Sequence, residues 1–143
     1  MLFKIGEIAK KANVSKRTID YYTQMGLLHV ETTSPSNYRL YSEKVVDDIK
    51  FIEACKELHM SLQDIKERLE LKRSNKQSIE KQETCIKHAE MLATHMKQLE
   101  QEILELKPIF DQLNEDSQVE ISNHIQSQSK ALMQSLQLIL HST

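Results

Sequence analysis

A short run of basic and hydroxyl side chains begins at Ser15 of the 143-residue chain. Ser15 is a residue type that caps helices, and Lys16, Arg17 and Thr18 follow it directly. The free backbone N–H groups of a helix N-terminus attract phosphate, and the first side chains of such a helix reach base edges. Lys16 and Arg17 are therefore candidates for phosphate or guanine contacts, and Thr18 for a phosphate or thymine-methyl contact.

Aromatic side chains extend this candidate DNA-binding set. Tyr21 and Tyr22 are adjacent, so on a helix one packs inward while the other offers its hydroxyl to the DNA backbone. Tyr38 and Arg39 follow a turn-rich segment, where a second backbone contact is expected. The predicted DNA-binding residues are Lys16, Arg17, Thr18, Tyr21, Tyr22, Tyr38 and Arg39.

Two short helices are predicted to position the first group of residues. Apolar residues over 5–12 fall on one helical face, and Ser15 begins a second helix that continues to about Gln24. Gly26 is the residue expected in the left-handed conformation that ends this helix. Two helices joined by a tight turn predict a helix-turn-helix.

The following segment predicts a small wing and two further helices. Turn residues followed by an alternating segment indicate two short strands within 27–41. Ser42 is expected to cap a third helix over about 43–59, and Ser61 a fourth over about 62–71.

Apolar residues then recur at alternating spacings of four and three, which is typical of a coiled coil. This seam consists of Cys85, Ala89, Leu92, Met96, Leu99, Ile103 and Leu106. The expected partner is the same helix of a second copy. The alternative is an intramolecular hairpin in which 85–106 packs on a last helix over 118–140, and both coexist if that helix covers the outside of a dimer.

Pro108 is expected to end or kink the long helix near Lys107. The predicted organisation is a DNA-binding domain over 1–73, a dimerisation helix over 74–107, and a connection with a C-terminal helix over 108–143. The predicted fold class is mainly α: a winged helix-turn-helix with a small two-stranded wing, a long dimerisation helix and a C-terminal helix.

Composition excludes several functional classes. The chain holds only two Gly, which nearly excludes a phosphate-cradling loop, and no catalytic triad order or paired catalytic carboxylates are present. We therefore predict neither an enzyme nor a cofactor, and the lack of a long apolar run predicts no membrane association. The net charge of −2 divides unevenly, because residues 1–73 carry 13 Lys+Arg and 11 Asp+Glu while the remainder carry 6 and 10.

The ordered set of residues between Ile5 and Leu69 resembles the MerR-like transcription regulators. The matching residues are Ile5-Gly6-Glu7-Ile8-Ala9, Val14-Ser15, Thr18-Ile19, Tyr21-Tyr22, Gly26-Leu27-Leu28, Tyr38-Arg39-Leu40-Tyr41, Met60-Ser61-Leu62 and Asp64-Ile65.

The resemblance implies a homodimer whose long helices pair antiparallel and which binds double-stranded promoter DNA. It also implies activation by bending and untwisting a long promoter spacer, through which RNA polymerase is affected indirectly. A bacterial cytoplasmic, nucleoid-associated protein is expected. One departure is Asp20, where the family usually has Arg; we expect this change to remove a phosphate contact and Asp20 to pair with Lys16.

The sequence also contains residues that could sense a signal. Cys55 stands where MerR-like proteins that respond to electrophiles carry a single Cys, and neighbouring Lys56 and His59 would lower its pKa. A weaker hypothesis is a metal site formed by Cys85, His88 and His95. The alternative functions are a metal-responsive regulator and a coiled-coil interaction protein that has lost specific DNA binding; a small-molecule effector is left open.

Overall fold

The computed structural model describes residues 1–140 and consists of helices with one small sheet. The elements in chain order are β1 (Leu2–Lys4), α1 (Ile5–Ala12), α2 (Lys16–Gln24), β2 (Thr32–Thr33), β3 (Arg39–Ser42), α3 (Lys44–Glu57), α4 (Leu62–Arg73), α5 (Ile79–Asp111) and α6 (Glu115–Leu140). Residues 1–89 form one compact unit, and the described residues from 90 onward form a second.

The sheet has three antiparallel strands in the order β1-β3-β2. Phe3 of β1 pairs with Tyr41, and Thr32 of β2 pairs with Leu40 on the other edge of β3. The sequence predicted only the two wing strands. It missed Leu2–Lys4 because three residues that run directly into a helix give no alternating pattern.

The first unit has a continuous apolar core, to which every one of its helices up to α4 contributes. Burial of these side chains is the main stabilising contribution, at about 1.5–3 kcal/mol for each large one. The core consists of Phe3, Ile8, Ala9, Ile19, Tyr22, Leu27, Leu28, Tyr41, Val45, Val46, Ile49, Ile52, Cys55, Ile65 and Leu69.

The ends of α2 and the start of α4 follow the predicted capping residues, but the N-cap of α3 is Glu43 and not the predicted Ser42, which is the last residue of β3. The Ser15 hydroxyl accepts a hydrogen bond from the Thr18 amide at 3.0 Å, which confirms Ser15 as the N-cap of α2. Gly26 adopts a φ of 79°, as expected for the end of α2. The Ser61 hydroxyl caps α4 through the Asp64 amide at 3.1 Å.

Arg73, the last residue of α4, joins three segments of the first unit. Its guanidinium donates to the Leu27 carbonyl at 2.9 Å and forms an ion pair with Asp48 of α3 at 3.0 Å. It also lies 3.2 Å from the ring of His29. These contacts hold the end of α4 against α3 and the segment that follows α2.

The predicted end of the long helix near Lys107 is wrong, because α5 includes Pro108 and continues to Asp111. A proline removes one backbone donor, but only one turn of helix remains beyond it, so the loss is limited to a helix end. An ion pair between Lys107 and Asp111, 2.9 Å apart, spans the proline.

The last helix begins at Glu115, earlier than the predicted residue 118. The Asn114 side chain accepts from the Ser117 amide at 2.8 Å, so asparagine acts as the N-cap. The Gln118 amide nitrogen donates to the carbonyls of Phe110 and Leu113 at 3.3 and 3.0 Å. An α6 side chain therefore satisfies carbonyl groups at the end of α5.

Neither α5 nor α6 buries an apolar side chain within the described residues, and His88 is the one buried residue of α5. The last turns of α5 and the first half of α6 line an apolar groove of about 720 Å³ together, so the intramolecular hairpin that the sequence left open stays an alternative for this part of the chain. Within the part of the chain described, no helix is both long and apolar enough to cross a membrane.

Candidate nucleic-acid interface

The N-terminus of α2 presents a basic surface. Lys16 and Arg17 are exposed in its first turn, where the helix dipole and free N–H groups favour an anion. Thr18 is half-buried, and its hydroxyl lies 2.9 Å from that of Ser15, so it takes part in the cap. The structure thus brings the predicted Lys16 and Arg17 to the surface together.

A groove of about 350 Å³ adjoins this surface. The side chain of Lys16 crosses α1 at Gly6, where an added methyl group would lie 3.0 Å from Cε of Lys16. Glycine therefore permits the close approach of Lys16 to α1. The residues around the groove are Lys4, Ile5, Gly6, Glu7, Lys10, Lys16 and Tyr38.

Lys4 and Lys10 are further candidate DNA-contacting residues, which no sequence pattern indicated. Lys4 lies 4.7 Å from the centre of the Tyr38 ring, a cation–π contact that connects the start of the chain to the wing. Tyr38 itself is exposed, so its predicted DNA contact stays a prediction. The pairing of β1 with β3 brings Lys4 beside Tyr38, and no sequence pattern indicated β1.

The two adjacent tyrosines have different environments, as predicted. Tyr21 is 44% exposed, whereas Tyr22 is 1% exposed. The Tyr22 hydroxyl donates to Glu53 at 2.7 Å and accepts from Lys56 at 3.1 Å. Tyr22 is therefore a core residue, and its assignment as a DNA contact is wrong.

Burial determines the ionisation of the Tyr22 side chain. It raises the pKa of Tyr22 above its ordinary value, and the hydrogen bond to Glu53 acts in the same direction. The hydrogen bond to Tyr22 raises the pKa of Lys56. The phenol therefore remains neutral and serves as a hydrogen-bonding link between α2 and α3.

Asp20 pairs with Arg39 of the wing, 2.7 Å away, and not with Lys16 as expected. The Gln24 amide donates to the other carboxylate oxygen of Asp20 at 3.1 Å. Lys16 is unavailable to Asp20 because it extends across Gly6. The ion pair connects α2 to the wing and holds Arg39, a predicted DNA-contacting residue, against a carboxylate.

The thiol of Cys55 does not have the environment of a reactive thiolate. Cys55 is 3% exposed within the core, and burial raises its pKa despite the opposing charges of Arg68 and Lys72. The expected lowering by Lys56 and His59 is wrong. Lys56 is hydrogen-bonded to Tyr22, and His59 is exposed beyond the end of α3.

The predicted metal ligands Cys85, His88 and His95 do not form a metal-binding site. No group of three or more metal-ligating side chains occurs among residues 1–140. Both ring nitrogens of the buried His88 are engaged: Nδ1 accepts from Arg68 at 2.8 Å, and Nε2 lies 3.0 Å from Glu67. His88 instead connects α5 to α4.

Lys87 completes this connection between α4 and α5. Its ammonium group donates to Glu67 at 2.8 Å and to Asp64 at 3.2 Å. The hydrogen bonds from Lys87 and then from His88 lower the pKa of Glu67, and those to Glu67 and Asp64 raise the pKa of Lys87. Glu67 is thus held as a carboxylate between two α5 side chains.

Comparison with known proteins identifies two matching family descriptions. Residues 3–72 match "MerR HTH family regulatory protein", and residues 46–115 match "MerR, DNA binding". The chain is 32% identical over 138 residues to the HTH-type transcriptional regulator CueR of Bacillus subtilis, covering 96% of this chain and 92% of that protein.

Two solved structures are also similar. The transcription regulator PbrR691 from Ralstonia metallidurans, in complex with lead(II), is 32% identical with a TM-score of 0.50, covering 74% of this chain and 85% of that one. HiNmlR, a MerR family regulator lacking the sensor domain and bound to promoter DNA, is 25% identical with a TM-score of 0.52. That match covers 92% of this chain and 91% of HiNmlR.

Proposed function

The chain belongs to the MerR family of DNA-binding transcription regulators, and from this premise we propose that it acts as a homodimer on a two-part promoter site. The observation that carries the proposal is the exposed pair Lys16 and Arg17 at the positive end of α2. The promoter DNA bound to the similar HiNmlR supports it. Family membership also assigns the protein to regulators rather than enzymes.

The exposed seam of α5 supports the homodimer. Leu92, Met96, Leu99 and Ile103 are between 40% and 55% exposed in the single chain. Full burial of a large apolar side chain contributes about 1.5–3 kcal/mol, so covering these residues is a substantial driving force. A seam with coiled-coil spacing is matched by a second copy of the same seam.

A homodimer carries two α2 helices and is expected to bind two half-sites. We propose that it bends and untwists the DNA spacer between them, and that RNA polymerase responds to the altered promoter geometry. Such bending costs on the order of 1–6 kcal/mol, which contacts at both half-sites would offset. Because a regulator of this kind acts on chromosomal DNA, we propose that the protein works in the bacterial cytoplasm, on the nucleoid.

Electrophile sensing through Cys55 is the weaker part of the proposal. It requires an opening of the first unit that exposes the thiol, because the residue is buried and its pKa is raised. Metal sensing has less support, because His88 is already engaged by Arg68 and Glu67.

Footprinting and mobility-shift experiments on DNA from upstream of the chain's own gene test the proposal. We expect protection of two half-sites and the spacer between them. The double variant Lys16→Gln/Arg17→Gln should bind at least about 10-fold more weakly, because lost base and phosphate contacts cost about 1–3 kcal/mol.

The matched control is Lys97→Gln/Lys130→Gln, which removes two positive charges from α5 and α6. We expect this control to bind like the unmodified chain. Protection of a single half-site would contradict the homodimer, and equal losses in both double variants would contradict the role of α2.

A further inference from the structure

The contact between α4 and α5 contains a buried, titratable side chain that the candidate DNA-binding surface does not use. His88 lies in the first third of α5 and is 8% exposed. Its two ring nitrogens contact adjacent residues of α4, Arg68 on one side and Glu67 on the other. Histidine is the side chain whose charge ordinarily changes between about pH 5 and pH 8. This contact is therefore able to respond to pH.

The partners of His88 identify its neutral form. Nε of Arg68 carries a hydrogen and is only a donor, so Nδ1 of His88, 2.8 Å away, accepts with its lone pair. The ring hydrogen is then on Nε2, which donates to Glu67 over 3.0 Å. Both hydrogen bonds are formed only while the ring is neutral.

Protonation of the ring removes one of these two bonds. The added hydrogen occupies Nδ1, where it meets the N–H of Arg68, so that two donors and two positive charges face each other. The bond from Nε2 to Glu67 is kept and is strengthened by the new charge. A protonated His88 therefore stays with Glu67 and separates from Arg68.

The neighbouring charges keep Glu67 available to both forms of the ring. On α4, Asp64 lies beside Glu67, and Lys87 of α5 donates to both carboxylates. The hydrogen bonds from Lys87 and then from His88 lower the pKa of Glu67. Glu67 therefore stays a carboxylate over the pH range in which a histidine changes charge.

The third helix at this contact, α3, contributes Cys55. The charges of Arg68 and Lys72 act on this thiol, yet burial raises its pKa and keeps it neutral. Arg68 therefore receives no compensating negative charge from Cys55 when it separates from His88.

His88 also connects the first unit to the seam of the proposed homodimer. The first unit ends at Ala89, and the seam residues Cys85 and Ala89 lie on either side of His88 along the chain. The contact of α4 with His88 thus helps to hold the beginning of the seam against the unit that carries α2. On a two-part site, a change at this contact alters how both α2 helices of a homodimer are presented to DNA.

We propose that His88 is a pH switch between α4 and α5, in which the neutral ring joins Arg68 to Glu67 and the protonated ring releases Arg68 and weakens promoter binding. The inference rests on the proposed homodimer and adds the proton as a signal. The step transfers one proton from solvent to Nδ1 and breaks only a hydrogen bond. Coupling between two sites of a protein typically changes an affinity by about 5- to 150-fold.

Nitrogen-15 NMR of the unmodified chain tests the switch itself, with the His88 signals identified by their loss in His88→Gln. We expect the Nε2–H tautomer at pH 7.8 and a protonated ring at pH 5.8, with the Nε–H signal of Arg68 shifting as its bond is lost. A hydrogen on Nδ1 at pH 7.8, a ring that stays neutral at pH 5.8, or an unchanged Arg68 signal would overturn the proposal.

Promoter binding at the same two pH values tests the consequence of the switch. The side-chain amide of His88→Gln supplies an acceptor for Arg68 and a donor for Glu67, but it does not titrate. Between pH 7.8 and pH 5.8, the unmodified chain should lose at least about 5-fold in affinity relative to His88→Gln. Equal pH dependence of the two proteins would contradict the switch.

The matched control is His95→Gln, because His95 lies seven residues further along the same helix. Its binding should depend on pH as that of the unmodified chain does, and a loss of pH dependence as large as in His88→Gln would contradict the assignment to His88. If none of these proteins binds promoter DNA at either pH, the proposed function fails, and the NMR titration still decides whether His88 switches its partners.

Discussion

The hydroxyl of Tyr22 joins α2 to α3 because it donates to Glu53 and accepts from Lys56. Tyr22→Phe keeps the buried ring and removes both hydrogen bonds. We expect the free energy of unfolding to fall by about 1–2 kcal/mol, because a partly buried carboxylate and an ammonium group lose a partner. Thermal unfolding followed by circular dichroism should show a Tm lower by several degrees.

Tyr21→Phe is the matched control for this prediction, because it removes a hydroxyl from the exposed neighbour. The Tm of this variant should be unchanged. If the two variants lost the same stability, the link between α2 and α3 through Tyr22 would be disproved.

Burial should protect Cys55 from thiol reagents. In Cys85→Ser protein at pH 8, we expect Cys55 to react with a disulfide reagent at least 100-fold more slowly in the folded state than in urea, because its thiol is buried and its pKa is raised. Absorbance of the released thiolate measures both rates. Comparable rates in the folded state and in urea would show that the first unit opens readily, and would support electrophile sensing through Cys55.

At the scale of elements, the contacts of Glu67 with Lys87 and His88 connect α4 to α5 and depend on pH. The pKa of Glu67 is lowered from its ordinary value of 4.5 in the folded chain. Its contribution to stability is therefore present above pH 4.5 and is lost as the pH falls through the lowered pKa.

Glu67→Gln should destabilise the chain by about 1 kcal/mol at pH 6 and by progressively less toward pH 3.5. Urea unfolding across this pH range measures the difference. Glu70→Gln, an exposed change on the same helix, serves as the control. A difference between Glu67→Gln and the unmodified chain that stays constant with pH would refute the assignment.

Local signals account for the elements that the sequence predicted well. Ser15, Gly26 and Ser61 fix the ends of α2 and the start of α4 through bonds to near neighbours, so residue types alone indicate them. The extension of α5 past Pro108 was missed because it depends on contacts from outside that turn. Gln118, from the next helix, donates to the carbonyl groups of Phe110 and Asp111, the last two residues of α5.

At the scale of the whole molecule, the candidate interface also combines residues that local sequence predicts with residues that only the fold brings together. Exposure of Lys16 and Arg17 follows from their place in one short helix. The approach of Lys4 to Tyr38 and the ion pair of Asp20 with Arg39 join residues 34 and 19 positions apart, which no local pattern specifies. Sequence periodicity also indicated the seam but not the open groove beside α6.

The two compact units should unfold differently. Residues 1–89 contain the apolar core, whereas α6 and the described remainder of α5 bury no apolar side chain of their own. We expect one thermal transition that does not depend on protein concentration and a second whose midpoint rises with concentration, because association stabilises it. Circular dichroism at 1 and 100 µM measures both, and a single concentration-independent transition would contradict the homodimer.

The ion pair of Asp20 with Arg39 has a consequence for how the regulator responds to ionic strength. Affinity for DNA falls with salt in proportion to the number of phosphates that the protein neutralises. Arg39 is paired with Asp20 of its own chain, so we expect each chain to displace one counterion fewer from DNA than it would with an unpaired Arg39. For the two chains of the proposed homodimer, the logarithmic salt slope is expected to be shallower by roughly 2, which binding measured over a range of salt concentrations checks against Asp20→Asn. Promoter occupancy would therefore change less when a cell meets osmotic stress.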